Sequence, residues 1–237
     1  MTTPTRHHRQ WRPQLTQAEF GRGWAFFALY VLVFPRLMGL IQRTLGENWE
    51  LLPAQAGLVY YLLVLTLVLL VFWSFLKNSF YILMDYLPEN LFALATGLIG
   101  AGVGHLLVTL VPLPVADPFN SLYGEQFAYF PQATFLILVV LTPIVEEVLF
   151  RGLMFGSLRK YSRPLAYAVT ILVFAFFQAQ QYAFTPGAVD LRYLLLMLRY
   201  LPMSAALTWC YDNGGSVFSA VALHMLLSGI QLMGAVV

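Results

Sequence analysis

The chain has 237 residues, 59% hydrophobic and only 10% charged, with a mean hydropathy of +0.72; a soluble domain carries about 25% charged residues, so these numbers exclude one. The net charge of +2 is too small and too scattered to suggest a nucleic-acid partner. The single Cys210 excludes an intramolecular disulfide and any cysteine-based metal cluster.

The expected fold class is therefore all-α, a polytopic membrane helix bundle of about seven transmembrane helices whose first partner is the lipid bilayer. The first twenty residues are polar and basic, with Arg6, Arg9 and Arg12. The apolar run behind them is long and has no small-residue cleavage site, so no removed signal peptide is expected. Spans are predicted at about 23–42, 55–76, 90–112, 132–155, 164–181, 191–211 and 216–236, each near the roughly 20 residues a bilayer needs. Punctuated segments such as "RTLGENWELLP", "RKYSRP" and "DNGG" separate them. No inverted repeat of the transporter kind is visible.

The first span contains Arg36. After the second, "KNSFYILMDYLPEN" is amphipathic and suited to lie along the interface. The third holds "GLIGAGVGH", whose Gly100 and Gly104 predict close helix approach; His105 beside them reads as packed or interfacial. The fourth, "LTPIVEEVLFRGLMFG", places Glu146, Glu147 and Arg151 in apolar surroundings, where each charge costs about 3 kcal/mol at mid-bilayer depth. At about 100° per residue, Glu147 and Arg151 share a face and suit an ion pair. Glu146 points about 140° from Arg151 and needs a partner on another helix. Pro143 is expected to bend the span.

The fifth span carries "FAFFQAQQYAF", with Gln178 deep and Gln180, Gln181 and Tyr182 expected at the far interface. The sixth contains Arg199, and Cys210 as buried packing. Arg36 and Arg199 are each able to pair with a carboxylate, bind a lipid phosphate or recognise a substrate carboxylate. On the seventh, His224, Ser228 and Gln231 fall within about 60° of one another, a polar stripe on an apolar helix. A histidine and a free carboxylate near one another can activate a water between them. Basic residues in the tail, at Arg22, and at Arg159, Lys160 and Arg163 fall on one side of a seven-span model. The positive-inside rule makes that side, and the N-terminus, cytoplasmic, with a cavity expected to open there.

With these elements in view the chain resembles the CPBP family, bacterial relatives of the CAAX prenyl endopeptidases that include the Abi-type bacteriocin-processing and immunity proteins. The family pattern is EExxxR, FxxxH and HxxxN on three spans. Here it reads "EEVLFR" at 146–151, "FAFFQ" at 174–178 with Gln for His, and "HMLLS" at 224–228 with Ser for Asn. The resemblance covers roughly residues 130–232. It suggests a cytoplasmic tail over 1–22, N-terminal helices and loops over 23–129, and core helices with the site over 130–237, in a bacterial inner or plasma membrane.

The resemblance implies that Glu146 activates the attacking water, that Glu147 and Arg151 hold the site together, and that His224 with Ser228 stabilises the oxyanion. Gln178 stands where a histidine would share the water. Glutamine can orient a water but cannot carry a proton near neutral pH, and losing a general acid–base group typically costs about 10²–10⁴ in rate. A catalytic zinc needs three protein ligands. With Glu147 taken by Arg151, only Glu146 and His224 remain, so no metal and no cofactor are expected.

The leading functional expectation is an intramembrane endopeptidase cutting a peptide or membrane-protein substrate on the cytoplasmic side. The runner-up is a pseudoprotease of the same fold, acting as a scaffold, immunity factor or binder of a peptide, lipid or membrane-protein partner. A small carrier is a third reading, disfavoured by the missing repeat.

Overall fold

A computed structural model describes residues 14–34, 53–185 and 188–236. Among them, five helices are long and apolar enough to cross a membrane, and a sixth span exists if one bent pair is counted. The all-α bundle is as expected. The second half of the expected first span, with Arg36, lies outside the described residues, as do Arg6, Arg9 and Arg12.

Helix α1 (Gln17–Ala28) continues through a π-helical turn, Leu29–Val33. Its start is a capping box: Thr16 Oγ1 accepts from the Glu19 amide, and Glu19 Oε2 accepts from the Thr16 amide and hydroxyl. The other carboxylate oxygen, Oε1, accepts from the Phe75 amide at 2.7 Å. That bond ties α1 to a corner 56 residues away.

The corner is a correction to the expected second span. Helix α2 (Pro53–Val71) stops at Phe72, and α3 (Trp73–Asp85) leaves at 83° to it. Phe72 and Phe75 turn inward and are fully buried. Room for them exists because two neighbours lack a Cβ: one on Gly23 would sit 2.8 Å from the Phe72 ring, and one on Gly152 2.7 Å from the Phe75 ring. Glu19 supplies an acceptor for an amide at the start of α3. The segment expected to lie along the interface thus begins at Trp73, and it packs its Phe75, Leu76 and Ser79 face inward. Ser79 in turn holds the start of the last helix, accepting from the Val217 amide at 2.7 Å and receiving the Ser216 hydroxyl on its carbonyl. Glu19→Ala is expected to destabilise the protein by about 1–3 kcal/mol, the cost of orphaning the buried Phe75 amide. It would be read as an earlier midpoint of SDS unfolding in mixed micelles. Thr16→Ala, which removes only the cap, should cost about 1 kcal/mol.

Helix α4 (Leu87–Thr109) runs along the later helix Leu191–Gly214. The close approach is made by Gly97, against Ala206 and Cys210 as well as Leu223 of the last helix, and Gly104, against Pro202, while a Cβ on Gly100 would meet nothing within 4 Å. The expected Gly100–Gly104 pair is thus replaced by Gly97–Gly104, two turns apart on one face. His105 is exposed rather than packed.

Helix α5 (Phe119–Tyr129) leads into α6, Pro131–Arg159, a continuous 29-residue helix and the most buried of the spans. Pro143 does not break it; the helix instead widens into π-helical turns at Leu136–Leu141 and Val148–Phe155, on either side of the two glutamates. Helix α7 (Arg163–Ala183) returns antiparallel, followed by a small hairpin, β1 (Phe184–Thr185) with β2 (Ala188–Val189). Helix α8, Leu191–Gly214, starts as a 3₁₀ turn and ends on Gly215 at φ 80°, a left-handed position that suits glycine. Helix α9 (Val217–Val236) closes the bundle. Around α6 the core is aromatic, with Phe150 touching Phe27 and Phe174 edge-to-face.

Candidate active site

Arg151 sits on α6 with none of its surface exposed, so it does not snorkel to the interface. Its Nη1 donates to Glu147 Oε1 at 2.9 Å, the pair that helical spacing predicts. Its Nη2 lies 3.2 Å from both the carbonyl and the hydroxyl of Ser204 on α8. The guanidinium rests 4.2 Å from the centre of the Phe174 ring. The other edge of that contact is His224, whose ring meets Phe174 at 77°. Phe174, the first residue of the "FAFFQ" stretch, therefore packs against both the buried cation and the imidazole.

Glu147 does more than neutralise Arg151. The same oxygen, Oε1, lies 2.7 Å from His224 Nδ1 on α9. Glu146 turns the other way, as expected, and finds its partner on α7: Gln178 Nε2 donates to Glu146 Oε2 at 2.7 Å. His224 Nε2 lies 3.9 Å from that same Oε2. Glu146, Glu147 and His224 are all buried, and Gln178 and Ser228 are half-buried.

Glu146, Gln178, His224 and Ser228 line one cavity of about 820 Å³, with Gln231 beside them. Glu147 and Arg151 lie behind its floor. Six tyrosines form much of its wall: Tyr30, Tyr60, Tyr61, Tyr123, Tyr182 and Tyr200. Sequence reasoning missed them, because they come from five separate elements with no shared spacing. Burial pushes the Tyr123 phenol up to about 12, with the nearby Glu146 adding to the rise; it remains a hydrogen-bond donor at neutral pH. Tyr182, expected at the interface, is buried in this wall, while Gln180 and Gln181 line the cavity.

The cavity opens at the end of the bundle where α6 begins and α7 finishes. Its rim carries the exposed Gln181, Phe184, Thr185 and Val189. The connection holding Arg159, Lys160 and Arg163 is at the opposite end. Arg159 and Arg163 there clasp the Asp212 carboxylate at 2.9 and 2.8 Å. Gln14 reaches the same end, donating to the Gly215 carbonyl. A cavity open to the cytoplasm and a basic connection facing the cytoplasm therefore exclude each other; the expectation that joined them is corrected. At the cavity end, Arg199 lies 3.6 Å from Asp117, so of its three expected roles it takes the carboxylate pair.

Among the described residues, no group of three or more His, Cys, Asp or Glu side chains converges to hold a metal ion. Cys210 is buried, as expected.

The fold and this site define a class: a multi-pass, all-α membrane protein with paired glutamates and a histidine buried at the floor of a cavity inside the bundle. Residues 129–230 match the family model described as type II CAAX prenyl endopeptidase Rce1-like, a match that supports membership of the CPBP family. The matched stretch contains all six candidate site residues of the three motifs, Glu146, Glu147, Arg151, Gln178, His224 and Ser228. No curated protein and no solved structure matches the chain.

Proposed function

We propose that the chain is a glutamate-dependent intramembrane endopeptidase. One observation carries this reading: a buried carboxylate, Glu146, is held at Oε2 by a neutral amide and borders an 820 Å³ cavity. No cation bonds to it among the described residues, in contrast to Glu147, which Arg151 neutralises. Glu146 accepts a hydrogen bond from a water and activates it, and the water's oxygen attacks the scissile carbonyl carbon as a proton leaves it. The carbonyl electrons move to oxygen, where the Ser228 hydroxyl is a donor; one such donor is typically worth about 10²–10³ in rate. On collapse the C–N bond breaks and the proton reaches the leaving amine. The volume falls in the range of about 300–1,000 Å³ typical of small-ligand sites. It suits an extended peptide segment, not a folded domain.

The pseudoprotease reading has its own observation, Gln178, which orients Glu146 but cannot carry a proton. Membranes bearing wild type, Glu146→Ala and Gln178→His, compared for newly formed peptide termini, separate the two. Termini present in wild type and lost in Glu146→Ala support the endopeptidase. Termini formed only by Gln178→His would make the native chain a binding protein of the same fold.

The charge distribution sets the direction of access. Arg22, Lys77, Arg159, Lys160 and Arg163 gather at the end away from the cavity, and the positive-inside rule makes that end cytoplasmic. In a Cys210→Ala background, Thr185→Cys should react with a membrane-impermeant thiol reagent on intact cells. Tyr161→Cys, in the basic connection, should react only after permeabilisation. The reverse pattern would turn the cavity to the cytoplasm.

A further inference from the structure

The tautomer of His224 changes which job this residue can do. Arg151 can only donate hydrogen bonds, so Glu147 Oε1, 2.9 Å from Nη1, is an acceptor. The 2.7 Å contact between that oxygen and His224 Nδ1 therefore carries its proton on Nδ1. A neutral imidazole protonated at Nδ1 has a bare lone pair at Nε2. Such a nitrogen accepts a proton; it does not donate one to an oxyanion. Nε2 faces Glu146 Oε2 across 3.9 Å, too far for a direct bond. A water oxygen at about 2.8 Å from each would span the gap, one O–H directed at each acceptor.

We propose that His224, oriented by Glu147, is the second base at the attacking water, supplying the proton carrier that position 178 lacks. The inference rests on the endopeptidase reading and assigns one of its residues. Glu146 and His224 grip the water together, and one O–H proton passes to His224 Nε2 as the oxygen bonds to the carbonyl carbon. The imidazolium is then stabilised by the Glu147 carboxylate at Nδ1. When the C–N bond breaks, the same proton moves from Nε2 to the amine nitrogen, and the ring returns to its Nδ1–H form. The charged groups around the ring are Glu147 at Nδ1, Glu146 at Nε2 and Arg151 behind Glu147; the Phe174 ring fixes its plane. Gln178 then has a positioning role, holding Glu146.

The test separates a proton carrier from a hydrogen-bond donor. A glutamine at 224 can donate to an oxyanion but cannot carry a proton. On a peptide spanning a Glu146-dependent cut, His224→Gln should lower kcat by about 10²–10⁴ with little change in KM. Adding Gln178→His should restore most of that loss, returning the proton carrier to the other side of the same water. Independently of any substrate, ¹⁵N-histidine NMR of the full chain in nanodiscs should show the resonance missing from His224→Gln as an Nδ1–H tautomer. An Nε2–H tautomer, a His224→Gln enzyme within about tenfold of wild type, or a double variant that is not rescued each overturns the proposal. If no Glu146-dependent cut exists, the endopeptidase reading fails, while the NMR still decides the tautomer.

Discussion

Glu146→Gln is expected to lower cleavage by about 10²–10⁴, the usual worth of a general base, while leaving the fold intact or more stable. The substitution is nearly isosteric and keeps an acceptor for the Gln178 amide at 2.7 Å. What it removes is a charge that is 97% buried and bonded to no cation among the described residues. Burying such a charge is costly, so a neutral amide should relieve strain rather than create it. Activity and stability should therefore move in opposite directions, the signature of a site held against the preference of the fold. Peptide termini in membranes measure the first, and the midpoint of SDS unfolding measures the second. If Glu146→Gln unfolds earlier and cleaves normally, Glu146 is helix–helix glue and the endopeptidase reading is lost.

How much of this was legible in the sequence depends on whether the signal was local. The division of labour between the glutamates was legible, because a helix fixes which side chains share a face. Glu147 and Arg151 bond at 2.9 Å, and Glu146 looks to another helix. The order of "FAFFQ" and "HMLLS" also placed Gln178 and His224 beside the glutamates. Four features were not legible, each because the cause lies far away in the chain. The run around Phe72 is equally apolar straight or bent; the 83° corner depends on Glu19, Gly23 and Gly152. The tyrosine wall comes from five elements with no common period. Charge counting told which end of the bundle is basic, yet hollowness is set by packing, and the hollow end is the other one. The bond from His224 to Glu147 was hidden as well, because the i,i+4 pair seemed to exhaust Glu147 before the second donor arrived from α9.

Arg151→Met should be among the most destabilising single changes in the protein, at about 3–5 kcal/mol, because it leaves a buried carboxylate without its cation. Glu147 and Arg151 have no exposed surface. The arginine also bridges α6 to α8 through Ser204 and stacks on Phe174, contacts that a lysine would not reproduce. Arg151→Lys should therefore recover only part of the loss. The informative variant is the double one, Glu147→Gln with Arg151→Met. Removing both charges together is far less harmful than removing one, since no buried ion is left unpaired, and the unfolding midpoint should return towards wild type. Cleavage should not return with it. A glutamine at 147 can turn either its oxygen or its NH2 towards His224 Nδ1, so it no longer selects the Nδ1–H tautomer and carries no charge to stabilise the imidazolium, and the water loses its second acceptor. A double variant that is both stable and fully active would reduce Glu147 to a counter-ion. One that is stable and inactive makes the pair a single device, in which Arg151 allows a carboxylate to exist at the floor of the cavity and Glu147 uses that permission to hold the histidine.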